Sequence, residues 1–368
     1  MVGSGVSSSR FRNHFRSPTP NHELSGVVMS SPSSREPSVP IGKNRANFTR
    51  EFLFADAGIV RDHDGVHTAM TMDERLEGWR RIPHGGIAMG AVMELAALLR
   101  EEWTEKDRGP EYPLTVDFRL GGAGVRIGDK VEFTVLAAPE GIRGTIFTPG
   151  NNDPYLSAVI GYGIDDPQRR ETFQSYLPAT ISNPAEGGIP LPYYRNCFVC
   201  GVARRQPGLE RRFLLGGGDG GTPRLAYAAA GFDVTDENTF YRFQSGGRLS
   251  LLPSLALLDE TMGWAGFMMA ASGAVTVRIG YTFYRDIRPG ERLVFIGRSE
   301  RVRGNAGARI FFWTSGGAVS LDNAGRCEPV IAASAQYLGV AELTEQMRRE
   351  LIPAELTAQA FRLAGLTH

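Results

Sequence analysis

Two stretches of this chain, residues 47–165 and 195–340, run through the same order of elements, and that repeat constrains the fold more than any single motif. In the first, strand-like REFLFADAGIV and GVHTAMTM precede an apolar helix from about Gly85 to Trp103. Strand-like LTVDFRL, KVEFTVLAA, GIRGTIFT and YLSAVIGYG follow. In the second, LERRFLL and RLAYAAAGF precede the apolar stretch LLPSLALLDETMGWAGFMMAA. AVTVRIGYTFYR, ERLVFIGRSERV, NAGARIFFWTS and EPVIAASAQYLGV come after it. Laid on each other, Glu94 falls on Glu260, Gly128 on Gly290 and Phe133 on Phe295, with a four-residue deletion between helix and turn. The helix of the first unit has no polar face, since residues such as Ile87, Met89, Val92, Leu95 and Leu98 occupy its whole circumference. A helix that is apolar all round has to be wrapped, and a curved antiparallel sheet is the wrapper this sequence supplies. The expected class is α+β, with two antiparallel sheets each wrapping one long apolar helix.

Forty Lys and Arg balance forty Asp and Glu, so no net field holds the chain on nucleic acid or an anionic membrane. No apolar run approaches the roughly 20 residues of a spanning helix, and the N-terminus shows no apolar segment of the signal-peptide kind. Cys197, Cys200 and Cys327 are too few for a disulfide scaffold and suit a reducing compartment, so the cytoplasm is the expected location. Residues 1–46, rich in Ser and Pro and nearly free of apolar periodicity, read as a disordered tail. Residues 166–194 read as a linker between the units. Residues 341–368 have helical spacing, interrupted at Pro353, and read as a surface-packed tail.

The motifs inside the repeat carry a resemblance. PHGGIAMGAVMELA is similar to the His-Gly-Gly helix start of the acyl-CoA thioesterases of the phenylacetyl-CoA thioesterase-like type, a hotdog-fold superfamily. LALLDETMGWAGF looks like the same family's Leu-Leu-Asp-Glu helix, and VTVRIGYTFYRDIRPGERLVFIG like the strand, turn and strand after it. CFVCGVARRQPGLERRF resembles the Cys-x-x-Cys-Gly and Pro-Gly-Leu signature that opens such domains. The resemblance covers about residues 48 to 340 and implies a tandem double hotdog.

It also implies a division of labour. Metal-free thioester hydrolysis needs donors for the thioester oxygen and a carboxylate that activates water or attacks the carbonyl. In the family the carboxylate lies nine residues after the motif's histidine, which is Met93 in the first half and Asp259 in the second. The His-Gly-Gly positions of the second half have become Ser250, Leu251 and Leu252. Each half has kept a different part, so His84, Gly85 and Gly86 would combine with Asp259 into one site, and the reciprocal site around Met93 and Glu94 is expected to be degraded. Gly85 and Gly86 would hold the oxyanion at the helix N-terminus, where unpaired N–H groups and a partial positive charge gather. On this reading a branched side chain at Gly86 blocks the oxygen while costing the fold little. Glu260 is the fallback base, and Thr276 stands where related thioesterases place a hydroxyl that positions water. The plainer reading of Asp259 is an exposed residue or a loop cap, against which stands the scarcity of other polar groups in LALLDETMGWAGF to satisfy a buried carboxylate.

Arg298, Arg301 and Arg303 are candidates for the phosphates of coenzyme A, or simply a solvated charge run. Cys197 and Cys200 have metal-ligand spacing but no second pair in sequence, so no metal is expected; a loop tie or two small buried residues is the plainer reading. GGGDGG, Gly216 to Gly221, lacks a P-loop lysine and reads as a hairpin turn. The expected activity is hydrolysis of an acyl thioester of coenzyme A or a carrier protein, with coenzyme A part of the substrate and no other cofactor. Neither nucleic acid nor membrane is an expected partner, and a homodimer of double hotdogs is compatible with the family. A double-hotdog dehydratase or hydratase, also joining a histidine and an aspartate from different halves, is the alternative enzyme, and a non-catalytic acyl-thioester binder the alternative outside catalysis.

Overall fold

A computed structural model describes residues 47–55, 57–63, 65–101, 111–121, 124–181, 188–216, 225–304 and 309–366. The tail at 1–46 and most of the Gly216–Gly221 cluster lie outside these residues. The first half comprises α1 (Phe48–Phe54), β1 (Gly65–Thr71), α2 (Gly85–Glu101), β2 (Leu114–Leu120), β3 (Lys130–Ala138), β4 (Gly141–Phe147) and β5 (Leu156–Tyr162). Helix α3 (Pro167–Gln174) leads to β6 (Leu225–Ala230), α4 (Leu252–Ala270), β7 (Ala274–Phe283), β8 (Leu293–Arg303), β9 (Phe311–Leu321) and β10 (Cys327–Gly339). Helices α5 (Ala341–Glu350) and α6 (Ala354–Leu363) close the described chain.

The longer strands form one antiparallel sheet in the order β1-β3-β4-β5-β2-β7-β10-β9-β8-β6. The second half therefore repeats the first in reverse across the β2–β7 seam, where Phe118 pairs with Ile279 and Val116 with Tyr281. Each half curves round its own helix, which is the hotdog arrangement, and the two units are fused edge to edge. Alternation drives this wrapping. Along β3, Val131, Phe133 and Val135 face inward while Lys130 and Glu132 face water. Gly128 and Gly290, matched by the repeat, both take left-handed φ angles, +101° and +82°, at equivalent turns.

Several elements depart from the sequence expectation. The REFLF of REFLFADAGIV belongs to α1, and Val60–Arg61 is extended. The buried Phe48 and Phe52 of this helix lie one turn apart and both meet Phe243 edge-on, at 5.2 and 5.3 Å, so aromatic packing overrides strand propensity. LERRFLL forms a strand only over Leu214–Gly216. Upstream, the Leu209 and Arg211 N–H groups instead donate to the Phe198 and Val199 carbonyls, both at 2.8 Å, while the Arg211 side chain turns inward to Asp236 and Thr239.

The segment read as a linker holds α3, capped by the Asp166 side chain, and Phe173 buries itself on the outer face of the second half against Val294 and Val319. From the same helix Arg169 reaches Asp117 of β2 at 2.9 Å and Thr282 of β7 at 3.0 Å, bridging the seam. The segment after Val340 is more than a surface tail. Leu351–Ile352 pairs with Tyr193–Tyr194, and α5 contributes cavity wall. No described helix is long and apolar enough to cross a membrane.

Helices α2 and α4 cross closely because glycine stands at the contact. A Cβ on Gly86 would lie 2.3 Å from the Cα of Ala256, and one on Gly90 2.7 Å from the Cβ of Leu252. Gly86 thus faces the partner helix, and the expectation that it can be enlarged at little cost to the fold is wrong. Gly86→Ala overpacks the crossing and is expected to cost about 1–3 kcal/mol of stability. Gly58→Ala, where a Cβ meets nothing within 4 Å, is the control and is expected to be silent in the same denaturation series. Equal midpoints for the two variants would refute the close crossing.

Candidate functional site

The start of α2 is built by a short ribbon, Glu77–Trp79 with Ile82–Pro83, that turns through Arg81 at a φ of +59°. The His84 N–H donates to the Leu76 carbonyl at 2.8 Å, and the His84 carbonyl accepts from the Ile87 N–H at 2.9 Å. The imidazole then folds over the helix end, where its Nδ1 accepts the Gly86 N–H at 3.0 Å, a side-chain cap. Its Nε2 lies 3.4 Å from Glu260 Oε2 on α4.

Gly86 therefore cannot serve as an oxyanion donor in this arrangement, contrary to the sequence expectation. Its N–H is taken by His84 and its Cα packs on α4. Gly85 lines the cavity instead, and its N–H has no protein partner among the described residues.

That cavity, of about 730 Å³, opens beside the helix start. Trp79, Tyr155, Trp264, Phe267, Leu343 and Met347 provide apolar wall, the last two from α5. Among its polar residues are His84, Asp259, Glu260 and Thr276, drawn from both halves.

Asp259 is buried, and its position is set from three sides. Its Oδ1 accepts the Thr276 hydroxyl at 2.7 Å, and its backbone carbonyl accepts the Tyr337 hydroxyl at 2.9 Å. Its Oδ2 faces Gly85, so that a Cβ placed there would come within 3.1 Å of it. Burial pushes the Asp259 carboxyl above the ordinary aspartate range, although His84 and the Thr276 hydrogen bond pull the other way. The Tyr155 hydroxyl is pushed up to about 12 by burial and by the Asp259 charge.

For His84, burial disfavours the imidazolium, but the Glu260 hydrogen bond and the neighbouring Cys197, Asp259 and Glu260 outweigh it and push the pKa up to about 9. The Gly86 N–H opposes this, because it points at the nitrogen that would take the second proton. The cap as seen therefore belongs to the neutral ring with its proton on Nε2, directed at Glu260, and taking up a second proton on Nδ1 breaks it.

The pseudo-symmetric position shows what Glu260 does. There Ser250 Oγ accepts the Leu252 N–H at 3.1 Å and donates to Glu94 Oε1 at 2.6 Å. Each helix thus starts with a side-chain cap, and each cap leans on a glutamate of the other helix. Beside Glu94, where the second half has Asp259, stands buried Met93, and Arg50 lies 3.5 Å from Glu94 Oε2.

The structure brings His84, Gly85, Asp259, Glu260 and Thr276 to one cavity and leaves out Gly86 and all three arginines. Arg298 is tied to Glu300 at 2.8 Å and stacks on Tyr176 of the outer face, and Arg301 stacks on Trp313. Among the described residues, Arg126 is the arginine that lines the cavity. Tyr337 and the α5 residues carried no sequence signal, since they act through a helix carbonyl and through plain apolar bulk. Cys197 did carry one, its spacing to Cys200, and its thiol lies 3.2 Å from Glu260 Oε2.

No protein-family model and no curated protein matches the chain. Solved structures of similar shape include an acyl-CoA thioesterase II from Mycobacterium marinum, at 12% identity and a TM-score of 0.45, covering 80% of this chain and 98% of that one. A conserved protein of unknown function with hot dog fold from Alicyclobacillus acidocaldarius matches at 12% identity and a TM-score of 0.43, with the same coverages of 80% and 98%. The dehydratase domain of PpsC from Mycobacterium tuberculosis, in complex with C12:1-CoA, matches at 12% identity and 0.42, covering 77% and 97%. At such identities, and with TM-scores below 0.5, neither reaction named there transfers to this chain.

Ser250→Ala removes the α4 cap and leaves a buried Glu94 oxygen without its donor. Such a change is expected to cost about 1–3 kcal/mol. Chemical denaturation measures it, and an unchanged midpoint would mean that the reciprocal caps carry no stability.

Proposed function

We propose that this chain hydrolyses acyl thioesters at the composite site between its halves. The observation that carries the reading is the buried Asp259 carboxylate of the second half facing Gly85, at the helix start of the first half, inside an apolar cavity. Thr276 holds Oδ1, which leaves Oδ2 as the oxygen that meets water or the thioester carbon. A carboxyl raised by burial is a stronger base once ionised than a solvated aspartate. The Gly85 N–H and the positive end of α2 are placed for the negative charge that develops on the thioester oxygen. The aromatic and aliphatic walls take the acyl group, and Arg126 is the cation available to a phosphate-bearing carrier, whether coenzyme A or a carrier protein.

Asp259→Asn keeps the shape and the Thr276 contact while removing the charge. Release of free thiol from acyl-CoAs of different chain length is expected to fall at least ~100-fold in turnover with the fold intact. Undiminished hydrolysis by this variant would remove Asp259 from the chemistry.

A second reading, reversible hydration of an enoyl thioester, is favoured by one observation: an imidazole and a carboxylate from different halves line the same cavity. His84→Asn separates the two. The asparagine oxygen can still accept the Gly86 N–H, so the helix cap is kept while proton transfer through a ring is lost. A hydrolase using His84 as a cap is expected to retain a measurable fraction of its rate, whereas a hydratase would lose nearly all of it. Tight binding of acyl-CoA with no turnover of either kind would instead make the protein a binder.

A further inference from the structure

Beside the reacting carboxylate, the cavity contains a second group of side chains that the hydrolysis does not use. The segment Cys197-Phe198-Val199-Cys200-Gly201 turns so tightly that the Val199 and Cys200 N–H groups both point at Cys197 Sγ, at 3.3 and 3.5 Å. The Gly201 N–H closes the turn on the Cys197 carbonyl at 2.9 Å, and a Cβ on Gly201 would come within 2.6 Å of that same oxygen. Backbone donors gathered on one sulfur suit a thiolate, because a charged acceptor makes the stronger hydrogen bond. The Phe198 N–H fastens the turn to the Glu77 carbonyl at 2.7 Å, in the same ribbon that feeds His84 into α2.

The sequence offers these two cysteines no second ligand pair, and the fold supplies it from two distant segments. His84 Nε2, Cys197 Sγ and Glu260 Oε2 all lie within 4.8 Å of one another. The nitrogen and the sulfur stand 3.4 and 3.2 Å from the same carboxylate oxygen. Around a tetrahedral zinc ion, ligand–metal distances of about 2.0–2.3 Å place neighbouring ligand atoms roughly 3.3–3.8 Å apart. These two spacings are close to that range, and the nitrogen-to-sulfur distance stays within 4.8 Å. The buried Cys200 thiol, now directed at the Tyr194 carbonyl at 4.0 Å, stands outside this group and would swing toward it to become the fourth ligand.

We propose that Cys197, Cys200, His84 and Glu260 form a binding site for a divalent cation of the zinc class. The mixed sulfur, nitrogen and oxygen set suits zinc and excludes magnesium and calcium, which take oxygen ligands. Binding releases the two thiol protons to solvent and moves the imidazole proton from Nε2 to Nδ1. The Gly86 N–H must then turn away from His84, so loading exchanges a helix cap for a metal bond. Four protein ligands leave no open position, which makes the ion a structural tie between the cysteine turn, the start of α2 and the middle of α4 rather than the source of attacking water.

The test uses the full chain, stripped with a chelator and titrated with Co²⁺ or Zn²⁺. About one Co²⁺ per chain is expected, with a near-ultraviolet sulfur-to-cobalt absorption that Cys197→Ser and Cys200→Ser each abolish. Glu260→Gln is expected to weaken binding on the order of 10-fold or more, with circular dichroism checking the fold of each variant. In the unaltered chain, Zn²⁺ is expected to slow alkylation of Cys197 and Cys200 but not of half-buried Cys327, read by mass spectrometry, so the outcome does not depend on any variant folding. Alkylation of all three thiols at rates indifferent to zinc would overturn the proposal. So would recovery of Cys197 and Cys200 as a disulfide in a chain that binds no Co²⁺.

Discussion

The arrangement of the whole molecule depends on how α2 and α4 begin. Each helix enters with a side chain folded over its first N–H groups, His84 in one half and Ser250 in the other, and each cap rests on a glutamate from the opposite helix. Between the two caps the helices approach until Gly86 touches the backbone of Ala256. A capped end satisfies donors that would otherwise be buried without partners, and here the same groups also set the rotation of one helix against the other. Asp259 precedes Glu260 by one residue, about 100° around the helix. Once Glu260 is committed to His84, Asp259 can only project to the side, toward Gly85 and the cavity.

What holds the halves together outside this pair is the backbone ladder between β2 and β7, which makes one continuous sheet of two units. Arg169 spans that seam on the outer face, and α3 covers the apolar strands beyond it. On the inner side α5 supplies Leu343 and Met347 to the cavity wall, with Gln346 accepting from the Trp79 indole at 2.9 Å and Glu350 pairing with Arg80 at 2.7 Å. The cavity is therefore bounded by elements from the beginning, middle and end of the described chain.

Much of this was legible in the residues because burial leaves a periodic trace. The two apolar helices, the strands that alternate around them and the matched turns at Gly128 and Gly290 follow from local pattern. Asp259, a carboxylate in an apolar helix with few polar neighbours in sequence, could likewise be singled out. What escaped was set by contacts between distant segments. Phe52 reads as strand because its partner, Phe243, stands far along the chain. Gly85 and Gly86 are indistinguishable in sequence, yet one faces a cavity and the other a helix. Arg298 and Arg301 read as candidate phosphate ligands because nothing in the strand announces Tyr176 or Trp313 as their companions, although Glu300, two residues after Arg298, was in plain view. The Asp166-Pro167 start of α3 was a readable capping signal, overshadowed by the prolines around it.

The continuity of the sheet across the seam has a consequence for how such a molecule can change. In a dimer of identical units every exchange is made twice, so a residue that improves one pocket is imposed on its mirror image. Joining the two units in a single chain frees each copy from the other. Met93 and Ser250 can then be chosen for packing and capping while their counterparts, Asp259 and His84, are kept for the cavity. Such asymmetry is open to a fused chain, and here the residues around Met93 and Ser250 serve as scaffold for the site around His84 and Asp259.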